Sequence, residues 1–327
     1  MKLVLALVMV TALGAMMPRP ADAPLALVQS IALPHVEGRI DHLAFDARTQ
    51  RLYVAALGNN TVEVIDAKAG THLRSMPGFR EPQGIAVASD ANVVAIANGQ
   101  GEGVQFVSAD DNHAGPIVKL GDDADNVRYD ASAKRLYVGF GGGALAAIDP
   151  SGAKVLWQAK LPGHPESFQL ERSGSLVFVN VPSAGQIAVV DRAAMKVTAT
   201  WPVTTAASNF PMALDEANHR LFIGCRRPAK ALVFDTSTGK ETGSFDIVGD
   251  TDDLFYDAAR KRIYVSGGDG FVDVIEERAP NTFTRIEHAA APAGARTSLF
   301  VPDQNRFYLA VPHRGGQRAE IRVYDAM

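Results

Sequence analysis

Residues 45–70 read FDARTQRLYVAALGNNTVEVIDAKAG, and the stretch divides into strand edges and turns. Phe45-Asp46 ends one strand, Arg51 to Ala56 forms a second and Thr61 to Asp66 a third. Asn59-Asn60 and Ala69-Gly70 supply the turns, because Asn and Gly tolerate the left-handed backbone that tight turns need. Alone, this meander has a greasy face and nothing to bury it against.

Recurrence supplies the partner. The Leu52-Tyr53-Val54 strand returns as Val93-Val94-Ala95, Leu136-Tyr137-Val138, Leu176-Val177-Phe178, Leu221-Phe222-Ile223, Ile263-Tyr264-Val265 and Phe307-Tyr308-Leu309. Seven copies at a period of about 40–45 residues match a propeller blade of four strands. An apolar-Asp corner leading to Arg precedes the strand at Phe45-Asp46, Tyr129-Asp130, Leu214-Asp215 and Tyr256-Asp257. An alternating strand ending in an acid follows it, as in Val62 to Asp66, Leu145 to Asp149 and Ile187 to Asp191. Copies two, four and seven degrade one signature or the other, and Ser108 replaces the acid in copy two. No stretch sustains a helical period.

After Asp325 only Ala326 and Met327 follow, so copy seven lacks its outermost strand, while a spare alternating segment, Leu25 to Leu33, precedes copy one. Open edges invite aggregation, and ring closure removes them. The expectation is an all-β chain: residues 24–327 as one seven-bladed β-propeller of four-stranded antiparallel blades, closed by the N-terminal strand pairing with the C-terminal blade.

The Leu-Tyr-Val strand followed by Val-Glu-Val-Ile-Asp resembles the YVTN-type seven-bladed propellers, exported bacterial proteins built on a repeat of roughly 40 residues. The resemblance covers the whole mature chain, with Leu-Tyr-Val or Ile-Tyr-Val in place of the eponymous tetrapeptide. It implies a surface or periplasmic binding protein, and related propellers include lactonases.

The chain's 327 residues carry a formal net charge of −4. That balance argues against nucleic acid as a partner, which needs a basic surface. One cysteine, Cys225, rules out an internal disulfide. Lys2 precedes an uncharged apolar run, Leu3 to Met17, and then the small-residue pattern Ala21-Asp22-Ala23. This is the layout of a secretory signal peptide over residues 1–23, too short to span a bilayer. Ala12-Leu13-Gly14 is a second cleavage pattern, and an uncleaved anchor a third arrangement. The expected mature chain is periplasmic or secreted, monomeric and without a transmembrane span.

Function must be read from a site, since one propeller scaffold serves many activities. The segments leading into the innermost strands gather on one face, and there the copies stop resembling one another. They carry Arg39, Asp41 and His42; Arg80 and Gln83; Asp125 and Asn126; His164 and Glu166; Asp252 and Asp253; and Arg296. Solvated mouths and turn-capping Asp or Asn residues account for many such groups singly. Their mixture of acids, arginines and histidines in one concavity is what marks a ligand site.

Three chemistries suit it. Arg39, Arg80 and Arg296 can fork to the carboxylate or phosphate of a small polar ligand or an exported protein partner. Hydrolytic or lactonase-like catalysis would use His42 or His164 as general base and Glu166 as its acid-base partner. A divalent metal is the third; the same histidines with Asp41, Asp125, Glu166, Asp252 and Asp253 offer oxygen and nitrogen donors, though no metal-binding motif is present. No other cofactor is called for. Gly141-Gly142-Gly143 reads as a turn between strands, since no Lys-Ser/Thr follows. The basic loops Arg226 to Lys230 and His313 to Arg318 face the ring's side, as solvated charge or as an extension of the site. Cys225, Met195 and Met212 read as packing residues.

Overall fold

A computed structural model describes residues 23–327, so the signal-peptide expectation falls on residues outside it except for Ala23. Seven four-stranded antiparallel sheets form a ring of blades. The innermost strands are Leu43–Asp46, Pro82–Ala88, Ala124–Asp130, Phe168–Leu170, Ala207–Asp215, Thr251–Asp257 and Ser298–Val301. In blade seven the order from the axis outward is Ser298–Val301, Arg306–Val311, Glu320–Ala326 and then Leu25–Ala32. The N-terminal strand is therefore the outermost strand of the last blade, with Leu25 opposite Ala326 and Ile31 opposite Ile321. Met327 N donates to Pro24 O at 3.0 Å beside it.

The repeat residues are the core. Tyr53, Val94, Tyr137, Val177, Phe222, Tyr264 and Tyr308 are all essentially inaccessible. Burial continues on both faces of each blade, and every apolar cluster joins two neighbours. Tyr53, Val62 and Val64 of blade one, for example, pack with Ile85, Val94 and Ile96 of blade two, while Ile31, Ile321 and Tyr308 of blade seven pack with Leu52 and Val54 of blade one. A blade alone would expose that surface; the ring buries it.

The acidic corners are turn residues. Asp46 Oδ1 accepts Arg48 N at 3.0 Å, and Asp66 Oδ1 accepts Lys68 N and Ala69 N at 3.0 and 2.7 Å. Gly141 to Gly143 joins the second and third strands of blade three, and a Cβ on Gly143 would meet Leu161 O at 2.6 Å. Cys225 and Met212 are buried. Met195 is not a packing residue: it is half exposed, with φ 56° in a turn, so its side chain projects into solvent. Among the described residues no helix is long and apolar enough to cross a membrane.

Candidate functional site

Three innermost strands are preceded by a non-glycine residue in the left-handed region, Glu81 (φ 53°), Asp123 (56°) and Asp250 (51°), and a fourth carries one, Ser208 (60°), at its second position. Such backbone is disfavoured for residues with a Cβ and persists where surrounding structure holds it. Pairing with the second strand then slips, between Pro82 and Ile85, Ala124 and Val127, Asn209 and Met212, and Thr251 and Asp253. Slips of this kind re-aim side chains. Two residues beyond each left-handed position stand Gln83, Asp125, Phe210 and Asp252, and all four wall one cavity of about 250 Å³. Arg39, Asp123, His164, Glu166, Arg226 and Arg296 complete its lining.

Arginines frame one side. Arg226 donates from Nη2 to Asp252 Oδ1 at 2.6 Å and from Nε to Thr251 O at 2.8 Å, and its guanidinium stacks 3.7 Å from the Phe210 ring centre. Arg296 Nη1 donates to both oxygens of Asp250, at 2.9 and 3.0 Å, and its Nε lies 3.1 Å from Asp252 Oδ2. Arg39 Nη2 donates to Asp41 Oδ2 at 2.7 Å and lies 3.8 Å from Asp252 Oδ2. Asp252 thus faces three guanidiniums, yet burial, aided by the charge of Asp41, outweighs them and holds its carboxyl up at about 6. Among the described residues its buried Oδ2 has ion-pair contacts but no hydrogen-bond donor.

The other side is acidic. Burial, reinforced by Asp125 and Asp252, raises Glu166 to about 8, so this carboxyl is neutral at neutral pH. His164 Nδ1 donates to Gly141 O at 2.7 Å and lies 3.2 Å from Asp123 Oδ2, while its Nε2 is 3.8 Å from Asp125 Oδ2. Burial opposes its charge, but Asp125, the Gly141 carbonyl and Asp123 overcome that and lift it to about 9. Burial likewise opposes ionisation of Asp125, and there the His164 and His42 cations win, holding it below the usual carboxylate range.

Behind this wall lies a second charged layer. His42 has Nε2 3.5 Å from Asp41 Oδ1 and Nδ1 3.4 Å from Asp253 Oδ1. Against the cost of burial, those carboxylates raise it to about 10. Asp253 Oδ2 accepts Ser298 N at 2.8 Å. Burial raises Asp41.

Of the residues singled out in the sequence, Arg39, Gln83, Asp125, His164, Glu166, Asp252 and Arg296 meet at the cavity. Asp41, His42 and Asp253 support it from behind, and Asn126 is buried with no donor to its Oδ1 among the described residues. Arg80 stands apart: its side chain is exposed, and among the described residues it has no ion pair. Phe210 escaped sequence reasoning altogether, because only its register marks it. Arg226 was visible as loop charge, and its place at the end of a second strand, next to the ring, was the available signal.

The charge states sort the chemistry. Near neutrality His42 and His164 carry their protons, Asp125 is ionised and Glu166 is neutral. Among the described residues, no three His, Cys, Asp or Glu side chains gather as a metal-holding set; arginines and imidazoles occupy the space between the carboxylates.

The fold is similar to a chain in the crystal structure of the mitotic checkpoint complex, with a TM-score of 0.77 and 12% identity over 98% of this chain and 98% of that one. It is also similar to a chain of Kuenenia stuttgartiensis hydrazine synthase, with a TM-score of 0.73 and 13% identity over 84% of this chain and 94% of that one. No protein-family model and no curated protein matches the chain. At such identities the likeness concerns the scaffold. The chain is a seven-bladed β-propeller, a fold compatible with binding a partner.

Proposed function

We propose that the chain is an exported propeller, periplasmic or secreted, that binds a small polar or anionic molecule at the mouth of its central channel. One observation carries the reading: Arg39, Arg226 and Arg296 converge with neutral Glu166 and ionised Asp125 on a single polar cavity of about 250 Å³. Guanidiniums fork to carboxylate or phosphate oxygens. Glu166 supplies a donor and Asp125 an acceptor for the remainder of the ligand. Export rests on the Lys2 to Ala23 pattern and on the resemblance to YVTN-type propellers.

Hydrolytic or lactone-opening catalysis is the second reading, favoured by one observation. Asp125 and Glu166 share a site that pushes their pKa values apart, as a base and an acid require.

A thermal-shift screen of the purified chain against organic acids, phosphate esters, amino acids and sugars tests the first reading. A saturating ligand at about 100 times its Kd stabilises by about 2.7 kcal/mol. The effect should disappear in Arg226→Met and Glu166→Leu. A ligand whose affinity is untouched by both substitutions and by Arg39→Ala would remove the site from this cavity. Turnover of a lactone or ester, lost in Asp125→Asn, would instead establish the second reading.

A further inference from the structure

Beside the cavity, and sharing Arg39 and Arg296 with it, lies a cleft of about 400 Å³ between blades seven and one, lined also by Gly38, Asp250, Gly294, Pro312, His313 and Arg314. Three guanidiniums face one carboxylate there. Their donors are unequally used. Arg296 spends Nη1 and Nε on Asp250 and Asp252, and Arg39 spends Nη2 on Asp41. Arg39 Nε and Nη1 and Arg296 Nη2 take no part in those pairs. The Arg314 guanidinium has no ion pair among the described residues, because the neighbouring acid, Glu37, pairs with His313 at 2.7 Å instead.

The arrangement is built. Gly294, at φ 82°, leaves the space in which Arg314 lies: a Cβ there would stand 2.7 Å from Arg314 Nη1. The Arg314 loop is pinned by Gln317 Nε2, which donates to Pro312 O at 2.7 Å and to Ala293 O at 3.3 Å. Arg39 is held through its own backbone, Gly58 N donating to Arg39 O at 2.8 Å. A Cβ on Gly58 would meet Arg39 N at 2.7 Å, so the close approach needs glycine.

We propose that this cleft is an oxyanion subsite, seating the terminal phosphate or carboxylate of an elongated ligand whose hydroxyl or amino end reaches Glu166 and Asp125. The inference rests on the mouth being the ligand site and adds the ligand's class: an acid with a polar, uncharged or basic far end. The Arg314 fork, together with the donors that Arg39 and Arg296 have left over from Asp41, Asp250 and Asp252, suits a multi-oxygen anion. The cleft is larger than the anion alone needs, and its shared arginines make it continuous with the cavity.

The test uses the full chain and two probes, inorganic phosphate and acetate, titrated by calorimetry at low ionic strength, where exposed charge is least screened. Binding in the millimolar range is expected for at least one probe. Arg314→Gln should weaken it by about tenfold or more, as loss of a charge-assisted hydrogen bond does, and Lys68→Gln, at an exposed turn cation outside the cleft and the cavity, should leave it within about twofold. Phosphate binding alone assigns a phosphate ester and acetate binding alone a carboxylic acid. No binding of either probe, or equal binding by wild type and Arg314→Gln, overturns the subsite. The mouth reading fails separately, when the affinity of a ligand found by screening survives Glu166→Leu, Arg226→Met and Arg39→Ala.

Discussion

His42 Nδ1 lies 3.4 Å from Asp253 Oδ1, which ties blade one to blade six past the inner edge of blade seven. The other ring nitrogen faces Asp41, its own neighbour in sequence, at 3.5 Å. One imidazolium therefore screens two carboxylates that would otherwise repel in a buried layer. Removing it would leave Asp253 without its cation and Asp41 with Arg39 alone, a loss of about 3–5 kcal/mol by analogy with broken buried pairs.

Stability should fall as pH rises above 6.5. The His42 pKa is raised from 6.5 to about 10 and that of His164 to about 9, so their contributions are full below 6.5 and fade as pH climbs through those folded values. Glu166, raised from 4.5 to about 8, has the same sign. Asp125, lowered, has the opposite sign, but its contribution is lost only on acidification. Urea midpoints between pH 6.5 and about 9 check this slope, and His42→Gln should flatten it. An equal slope in wild type and variant would mean that His42 is not the charged bridge.

Glu166→Gln should be nearly silent in stability only at about pH 4 and below, where the carboxyl is neutral in the folded and the unfolded chain alike. Between pH 4.5 and about 8 the folded chain keeps a proton that the unfolded chain has lost, so the variant should gain steadily on wild type, and the gain should level off above pH 8. Paired denaturation curves across that window decide it: a constant difference between variant and wild type would mean that the fold does not hold this carboxyl neutral.

Arg220 is a test of the scaffold away from the mouth. It donates from Nη2 to Asp215 Oδ2 at 2.6 Å within blade five and to Glu277 Oε2 at 2.9 Å on blade six, and lies over the Phe222 and Tyr256 rings. Arg220→Ala should cost about 3–5 kcal/mol, because two acids lose their shared partner. Arg220→Lys should recover only a small part, since an ammonium cannot fork. Chemical denaturation with ligand binding unchanged is the expected pattern.

Ring closure is tested at Leu25 and Ile31. Both are buried in the outermost strand of blade seven, facing clusters shared with blades six and one. Alanine at either position should cost about 2–5 kcal/mol. A change well below that range would show the strand to be dispensable.

The fold was legible because its signal is periodic. Tyr53, Tyr137, Tyr264 and Tyr308 occupy one structural position, and buried strands must repeat their apolar residues in phase. The inner face of the mouth was half legible. Arg39, Glu166 and Asp252 could be found by asking where the copies diverge. Phe210 could not, because its position follows from a left-handed residue and a strand slip that Glu81, Asp123, Ser208 and Asp250 share without sharing chemistry. Charge states were hidden for a different reason. The protonation of His42 is set by Asp253, a partner brought to it only by the closed ring. Met195 misled because an apolar residue was assumed to pack, whereas its turn points it outward.

The pairing of Leu25–Ala32 with Glu320–Ala326 also orders events in time. The first strand to be made waits for the last, about 300 residues later, and contacts of such separation are the slow ones in folding. Until then blades one and seven each present an unsealed flank, and the charged layer around His42 lacks Asp253. During synthesis the charged cavity thus cannot exist ahead of the finished ring, and a chain cut short within Glu320–Ala326 forfeits the seam with Leu25–Ala32.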